Sequence, residues 1–136
     1  MADPWDPIYE TIDEAAVAAL DEIYPASREA RVEYAVAIYQ DRNTLLYGFT
    51  DFVTDDNPAS VTLVAPTGSD FVANAHTHPH RPVEGFLPHH ISNHRTTHQG
   101  VPAYWIAPNG TVHVYEPSLR KRRMVRVHHH RLQIVR

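Results

Sequence analysis

Phe71-Val72-Ala73-Asn74-Ala75-His76-Thr77-His78 leads into Pro79 and then into a second group of histidines at His89, His90, His94 and His98. The octapeptide alternates along its length, so the spacing predicts a strand with Asn74, His76 and His78 on one face. Two histidines two apart on a strand have Cα atoms ~6.6 Å apart. Their imidazoles can converge on one ion at ~2.0–2.1 Å per bond. A third ligand must come from elsewhere, and His89, His90 and His94 are the candidates. His90 and His94 are four apart and share a face of the short helix predicted over His89–His98, which Gly100 stops. Zinc, or another divalent transition metal, is the cofactor this set expects.

Upstream, Thr11-Ile12-Asp13-Glu14 reads as a capping box. Ile12, Ala16, Ala19, Leu20 and Ile23 follow at helical spacing, which predicts a helix from Ile12 to Tyr24 ended by Pro25. Val32 to Tyr39 alternates as a strand, with Val32, Tyr34, Val36 and Ile38 on one face and Glu33, Ala35, Ala37 and Tyr39 on the other. Asp41-Arg42-Asn43 is a turn, Leu45–Val53 the returning strand, and Asp55–Pro58 a loop. Val61–Ala65 is a further strand, followed by a turn at Thr67-Gly68-Ser69. Beyond the histidines, Tyr104–Ala107 and Thr111–Tyr115 form a hairpin around Pro108-Asn109-Gly110, where Asn-Gly predicts a type I′ turn. A last strand falls within Met124–Val135. His113 reads as a surface strand residue, and His128-His129-His130 as native sequence within an alternating Val/Arg pattern. The order predicts a single α+β domain with a mixed sheet flanked by helices.

Glu33 is the second element with chemical meaning. A lone carboxylate on an alanine-lined strand face is costly without a partner. It is either an edge residue in water or a general base aimed at metal-bound water.

The 136 residues suit one domain. The hydrophobic content of 43% marks a folded chain. The absence of cysteine excludes disulfides, thiolate metal sites and cysteine nucleophiles. No stretch approaches the ~20 apolar residues of a membrane helix, so no span is expected. Met1–Pro7 carries no Sec-type signal. The net charge of −4 hides an asymmetry. Up to Ser60, 13 acids face three arginines, leaving −10; from Val61, three acids face nine basic residues, leaving +6. Arg120-Lys121-Arg122-Arg123 and Arg126 lead the basic end. Either the two halves compensate each other, or the basic end meets an anionic partner such as nucleic acid or an acidic protein.

The order Glu33, His76-Thr77-His78-Pro79, then a helix start, resembles the JAMM (MPN, or JAB) metalloproteases. Several blocks are more closely similar to a JAB-related family of unknown function at the C-termini of Rhs-type bacterial polymorphic toxins. They are Asp13-Glu14-Ala15-Ala16, Glu33-Tyr34, Ala75-His76-Thr77-His78, Phe86-Leu87-Pro88-His89-His90-Ile91, Gly100-Val101-Pro102-Ala103-Tyr104, and Pro108-Asn109-Gly110 with Tyr115-Glu116-Pro117. The resemblance covers about Thr11–Pro117, leaving 118–136 as a basic extension of the one domain. It implies a JAMM/MPN (cytidine-deaminase-like) fold and a zinc-dependent hydrolase, of peptidase or isopeptidase type, serving as a toxin or effector. Glu33 then corresponds to the catalytic glutamate, His76 and His78 to two metal ligands, and His90 to the third, where the family carries aspartate. His89 and His94 are accessory or alternative ligands. Leu87 stands where the family's oxyanion serine belongs, with Ser92 or Asn93 as substitutes. The implied partners are a protein substrate and a cognate immunity protein. The implied setting is the bacterial cytoplasm, with delivery into target cells by a secretion system. Two alternatives stand beside this reading. One is a JAMM-like module that binds without cleaving; the other is a histidine-metal nuclease toxin, its basic end holding phosphates.

Overall fold

The structure, a computed structural model, describes residues 6–54, 64–77 and 100–127. Helix α1 (Ile12–Ala30) opens on the capping box: the Thr11 hydroxyl accepts from the Glu14 N–H at 3.1 Å and donates to the Glu14 carboxylate at 3.1 Å. Pro25 does not end this helix, as its sequence position had suggested, but lies inside it. The proline removes one N–H donor. The helix continues nonetheless, because Ser27, fully buried two residues further on, is anchored to the sheet. It ends at Arg31, whose φ of 60° and ψ of 37° place an arginine in the left-handed cap position that glycine usually takes.

Strands β1 (Tyr34–Asp41), β2 (Tyr47–Phe49), β3 (Val53–Thr54), β4 (Ser69–Thr77), β5 (Ala103–Ile106), β6 (Val112–Glu116) and β7 (Lys121–Arg126) form one mixed sheet. Its order is β2-β1-β4-β5-β6-β7, with β3 also pairing β1. All pairings are antiparallel except β4 with β5. The described residues are thus an α+β arrangement with a mixed sheet. The predicted strand Leu45–Val53 is two short strands, β2 and β3. Of the predicted strand Val61–Ala65, the described residues Val64 and Ala65 are irregular. The helix expected over His89–His98 lies outside the described residues.

The hairpin β5–β6 forms, but not on a type I′ turn. The Gly110 N–H donates to the Ala107 carbonyl at 2.9 Å, and Gly110 has φ 86° while Asn109 does not have a positive φ. Pro108 and Asn109 are therefore the central pair of a type I turn, with Gly110 as the left-handed residue of a bulge that follows it. The β1–β2 turn is fixed by Asp41, whose carboxylate accepts from the Asn43 N–H and from the N–H and hydroxyl of Thr44.

α1 packs on one face of the sheet. Ala15, Ala16, Ala19, Leu20 and Ile23 meet Val36, Ile38, Phe49, Ala73, Ala75, Tyr104, Ile106, Val112 and Val114 in one core. Alanines on both sides, Ala15, Ala16 and Ala19 against Ala73 and Ala75, let the helix sit close to β4. Two edge-strand arginines then lock the helix down. Arg126 pairs with Asp21 at 2.8 and 2.9 Å, and Arg123 with Asp13 at 3.0 Å. Part of the charge asymmetry is thereby resolved, since basic residues of β7 compensate acids of α1. Among the described residues, no helix is long and apolar enough to cross a membrane.

Candidate metal centre at the end of strand β4

Strand alternation puts Ala73 and Ala75 on the helix side, so Asn74 and His76 lie on the opposite face. Cross-strand register extends that face into two rows. One runs Ala35, His76, Trp105, His113, Met124. The other runs Ala37, Asn74, Ala103, Tyr115, Arg122. His76 is therefore flanked by Ala35 and by Trp105, and Asn74 by two alanines, which leaves the Asn74 amide standing between small neighbours.

Glu33 directly precedes β1 and is half-buried. It is two residues from Ala35, the residue paired with His76; the strand expected from Val32 begins at Tyr34, so Glu33 precedes it. Its backbone is fixed by a relay of hydrogen bonds. The Tyr34 N–H donates to the Thr77 hydroxyl at 2.9 Å. The Thr77 and Ser27 hydroxyls bond each other, and Ser27 donates to the Val32 carbonyl. Since Ser27 has spent its proton on Val32, Thr77 is the donor between the two hydroxyls. Both residues that flank Glu33 are thus tied to Thr77, the neighbour of His76 on β4, and to α1. The hydroxyl of the His-Thr-His segment points into the core and performs this joining.

The centre of this face, around Asn74, His76, Trp105 and His113, is buried although it carries polar groups. Asn74 is 1% exposed, and neither its amide oxygen nor its nitrogen has a hydrogen-bond partner among the described residues. Leaving a buried polar group unsatisfied costs ~1–3 kcal/mol. His113, expected at the surface, is 6% exposed and stacks on Trp105 with ring centroids 5.0 Å apart and planes 13° from parallel. The alternation of β6 correctly turns His113 away from the helix. It gives no information on whether that face is covered.

Of the candidate site residues, Glu33 and His76 lie at the same end of the β1–β4 pair. His78, Leu87, His89, His90, Ser92, Asn93 and His94 lie outside the described residues. Among the described residues no three His, Cys, Asp or Glu side chains are grouped as a metal would require. Sequence reasoning missed two members of this face. Asn74 was seen only as a facing residue, and Trp105–His113 was not seen as a stacked pair. The signal for Asn74 was a lone amide between alanines, Ala73-Asn74-Ala75, in an otherwise apolar strand.

A separate polar cluster lies on the helix side. The buried Tyr104 hydroxyl donates to the Asp13 carboxylate, which also accepts from Arg123. Arg123 reaches Glu116 at 2.7 Å as well. Burial pushes the Asp13 carboxyl up, but the Arg123 and Tyr104 hydrogen bonds outweigh it and hold the group below the usual carboxylate range. Burial first, then the Asp13 hydrogen bond and charge, push Tyr104 well above the usual phenol range. This cluster holds α1 to β5, β6 and β7 and faces away from His76.

Compared with protein-family models, with curated proteins and with solved structures, the chain finds no match.

Proposed function

We propose that the chain is a metal-dependent hydrolase of JAMM-like type, a peptidase or isopeptidase acting as a bacterial Rhs-type toxin or effector domain. The reading is supported by the position of Glu33, two residues before the Ala35 that pairs with His76, and by a relay on both sides of it that closes on Thr77 between the two histidines of the motif. His76, His78 and His90 would hold zinc, with His89 and His94 as alternative donors. A three-histidine set is a competent catalytic zinc shell, and the Asn74 amide on the face of His76, without a partner among the described residues, suits a polar occupant. When bound, the metal lowers the pKa of a water and polarises the bond to be cleaved. Glu33 accepts a proton and returns it to the leaving group. The Thr77 relay fixes the backbone on both sides of Glu33, so the carboxylate meets the site with little freedom to lose. A protein substrate and a cognate immunity protein complete this reading.

One sequence feature favours a second reading, a module that binds without cleaving. Leu87 cannot donate a hydrogen bond where the resembled family has serine, and one lost oxyanion donor costs ~10²–10³ in rate. The pairing of Arg123 and Arg126 with acids of α1 removes two cations from the nuclease reading.

Expression inside bacteria, with metal analysis of the purified protein, tests the proposal. His76→Ala should empty the site and abolish toxicity. Glu33→Ala should keep the metal and also abolish toxicity, since a general base supplies ~10²–10⁴ of the rate. Toxicity persisting in Glu33→Ala while lost in His76→Ala would defeat the role given to Glu33. A metal-loaded protein without toxicity or hydrolysis would move the conclusion to the binding module.

A further inference from the structure

The two edges of the sheet are finished differently. On the β2 edge, Tyr47 exchanges both of its backbone hydrogen bonds with Tyr9, at 3.0 and 2.8 Å, so a stretch of chain covers part of that edge. β7 closes the other side of the sheet, and among the described residues no strand lies against its outer edge.

The residues of β7 divide by direction. Arg123 and Arg126 turn to the helix face and are used by Asp13, Glu116 and Asp21. Arg120, Lys121 and Arg122 are exposed and enter no ion pair among the described residues. Glu116, which stands opposite Lys121 in the register, gives its carboxylate to Arg123. Alongside these cations, Leu119 is 64% exposed, Met124 52% and Val127 46%.

Lysine and arginine on an edge strand serve by themselves to repel stray strands. Such a defence does not explain three large apolar side chains exposed on the same short segment. A row of open backbone groups, uncompensated cations and exposed apolar groups together match an extended acidic peptide with interspersed apolar residues. A second copy of this chain is disfavoured, because pairing two β7 edges sets cation against cation. Nucleic acid is disfavoured too. It has no strand backbone to offer, and three cations are few beside the ~6–10 phosphate contacts of a salt-sensitive nucleic-acid site.

We propose that the outer edge of β7 is a docking site for an acidic, extended segment of a partner protein. The segment adds a strand to the sheet, with carboxylates beside Arg120, Lys121 and Arg122 and apolar side chains over Met124 and Val127. The inference is independent of the hydrolase reading, since the edge is reached without any residue of the metal centre.

The test is fluorescence anisotropy of the full chain with a labelled decapeptide of alternating glutamate and valine. Three comparison probes are its lysine counterpart, the same glutamate peptide N-methylated at alternate residues, and a thymidine oligonucleotide. The acidic peptide should bind and the lysine peptide should not. The Lys121→Glu/Arg122→Glu double variant, its fold checked by circular dichroism, should bind the acidic peptide at least roughly tenfold more weakly. N-methylation should abolish binding, which a purely electrostatic contact would not require. Four results would overturn the proposal: no binding of the acidic peptide, binding indifferent to N-methylation, unchanged binding by the double variant, or tighter binding of the oligonucleotide than of the peptide. Dimerisation of the free chain that the double variant abolishes would assign the edge to self-association and overturn it as well.

Discussion

Replacing Thr77 with valine removes one hydroxyl from the centre of the molecule and nearly nothing else. Valine matches threonine in shape and keeps the β-branch that suits a strand. Thr77 is fully buried, accepts from the Tyr34 N–H and donates to Ser27. In the variant, Ser27 keeps its bond to Val32, while the Tyr34 N–H loses its acceptor. An orphaned donor costs ~1–3 kcal/mol, so we expect Thr77→Val to destabilise by about 2 kcal/mol. For a chain of this length that lowers Tm by roughly 5–10 °C. Thr77→Ser keeps the hydroxyl and loses one methyl, at a cost of ~0.5–1.5 kcal/mol. Urea unfolding of both variants, of Ser27→Ala and of the Ser27→Ala/Thr77→Val pair closes a double-mutant cycle, and the relay predicts a coupling of ~0.5–3 kcal/mol. Amide exchange at Tyr34 should quicken in Thr77→Val and not in Thr77→Ser. A Thr77→Val cost below ~0.5 kcal/mol, the level of an ordinary surface change, or an absence of coupling to Ser27 would refute the relay.

Four further outcomes follow from the same contacts. Asn74→Leu, which deletes a buried amide without partners among the described residues, should raise stability in urea by ~1 kcal/mol or more, while weakening whatever polar occupant the site takes; a loss of stability would show the amide to be satisfied. Arg126→Met should cost about 2 kcal/mol in urea unfolding, because Arg126 is 14% exposed in its side chain and its loss strands Asp21. Tyr104 is raised by burial and by Asp13, so it stays neutral while ordinary phenols ionise near ~10; its stabilising contribution is complete below that pH and is lost as pH rises towards its own higher value, so Tyr104→Phe should leave the 295 nm tyrosinate absorbance of the folded protein at pH ~11 unchanged. Asp13 has the opposite sign: its lowered value stabilises the fold above the usual carboxylate range and ceases to do so as pH falls through that lowered value, so acid unfolding of Asp13→Asn should begin from lower stability and show a shallower pH dependence.

What the sequence made legible was local or periodic. The capping box at Thr11 and Glu14 depends on residues three apart, and it forms. Period-two alternation sorted Val36 and Ile38 from Ala35 and Ala37, and Asn74 and His76 from Ala73 and Ala75, because a strand has only two faces. The failures came where a distant partner decided. Pro25 is a strong local stop signal, yet the helix is held past it by a hydroxyl 50 residues away. Asn109-Gly110 is a strong type I′ signal, yet Pro108 takes the first central place of the turn and shifts the frame by one residue. His113 alternates with Val112 and Val114, which fixes its direction but not its burial. The charge asymmetry was legible as a number and not as a geometry. It resolves into two arginine clamps on α1 and a residue of unmatched cations on the β7 edge.

The position of the candidate centre follows from the topology of β4 more than from any one residue. β4 is the strand at which the sheet changes sense, antiparallel to β1 on one side and parallel to β5 on the other. A parallel pair cannot be joined by a tight turn and needs a connection of a dozen or more residues. The described strands on either side of that connection end at Thr77 and resume at Ala103, so the second histidine cluster falls between them in sequence. The connection departs from the C-terminal end of β4, and the antiparallel β1 begins at the same end, immediately after Glu33. The glutamate, the first histidine of the motif and the start of the histidine-rich connection therefore meet at one end of the sheet because of strand direction alone. The Thr77 relay then holds that meeting point in register.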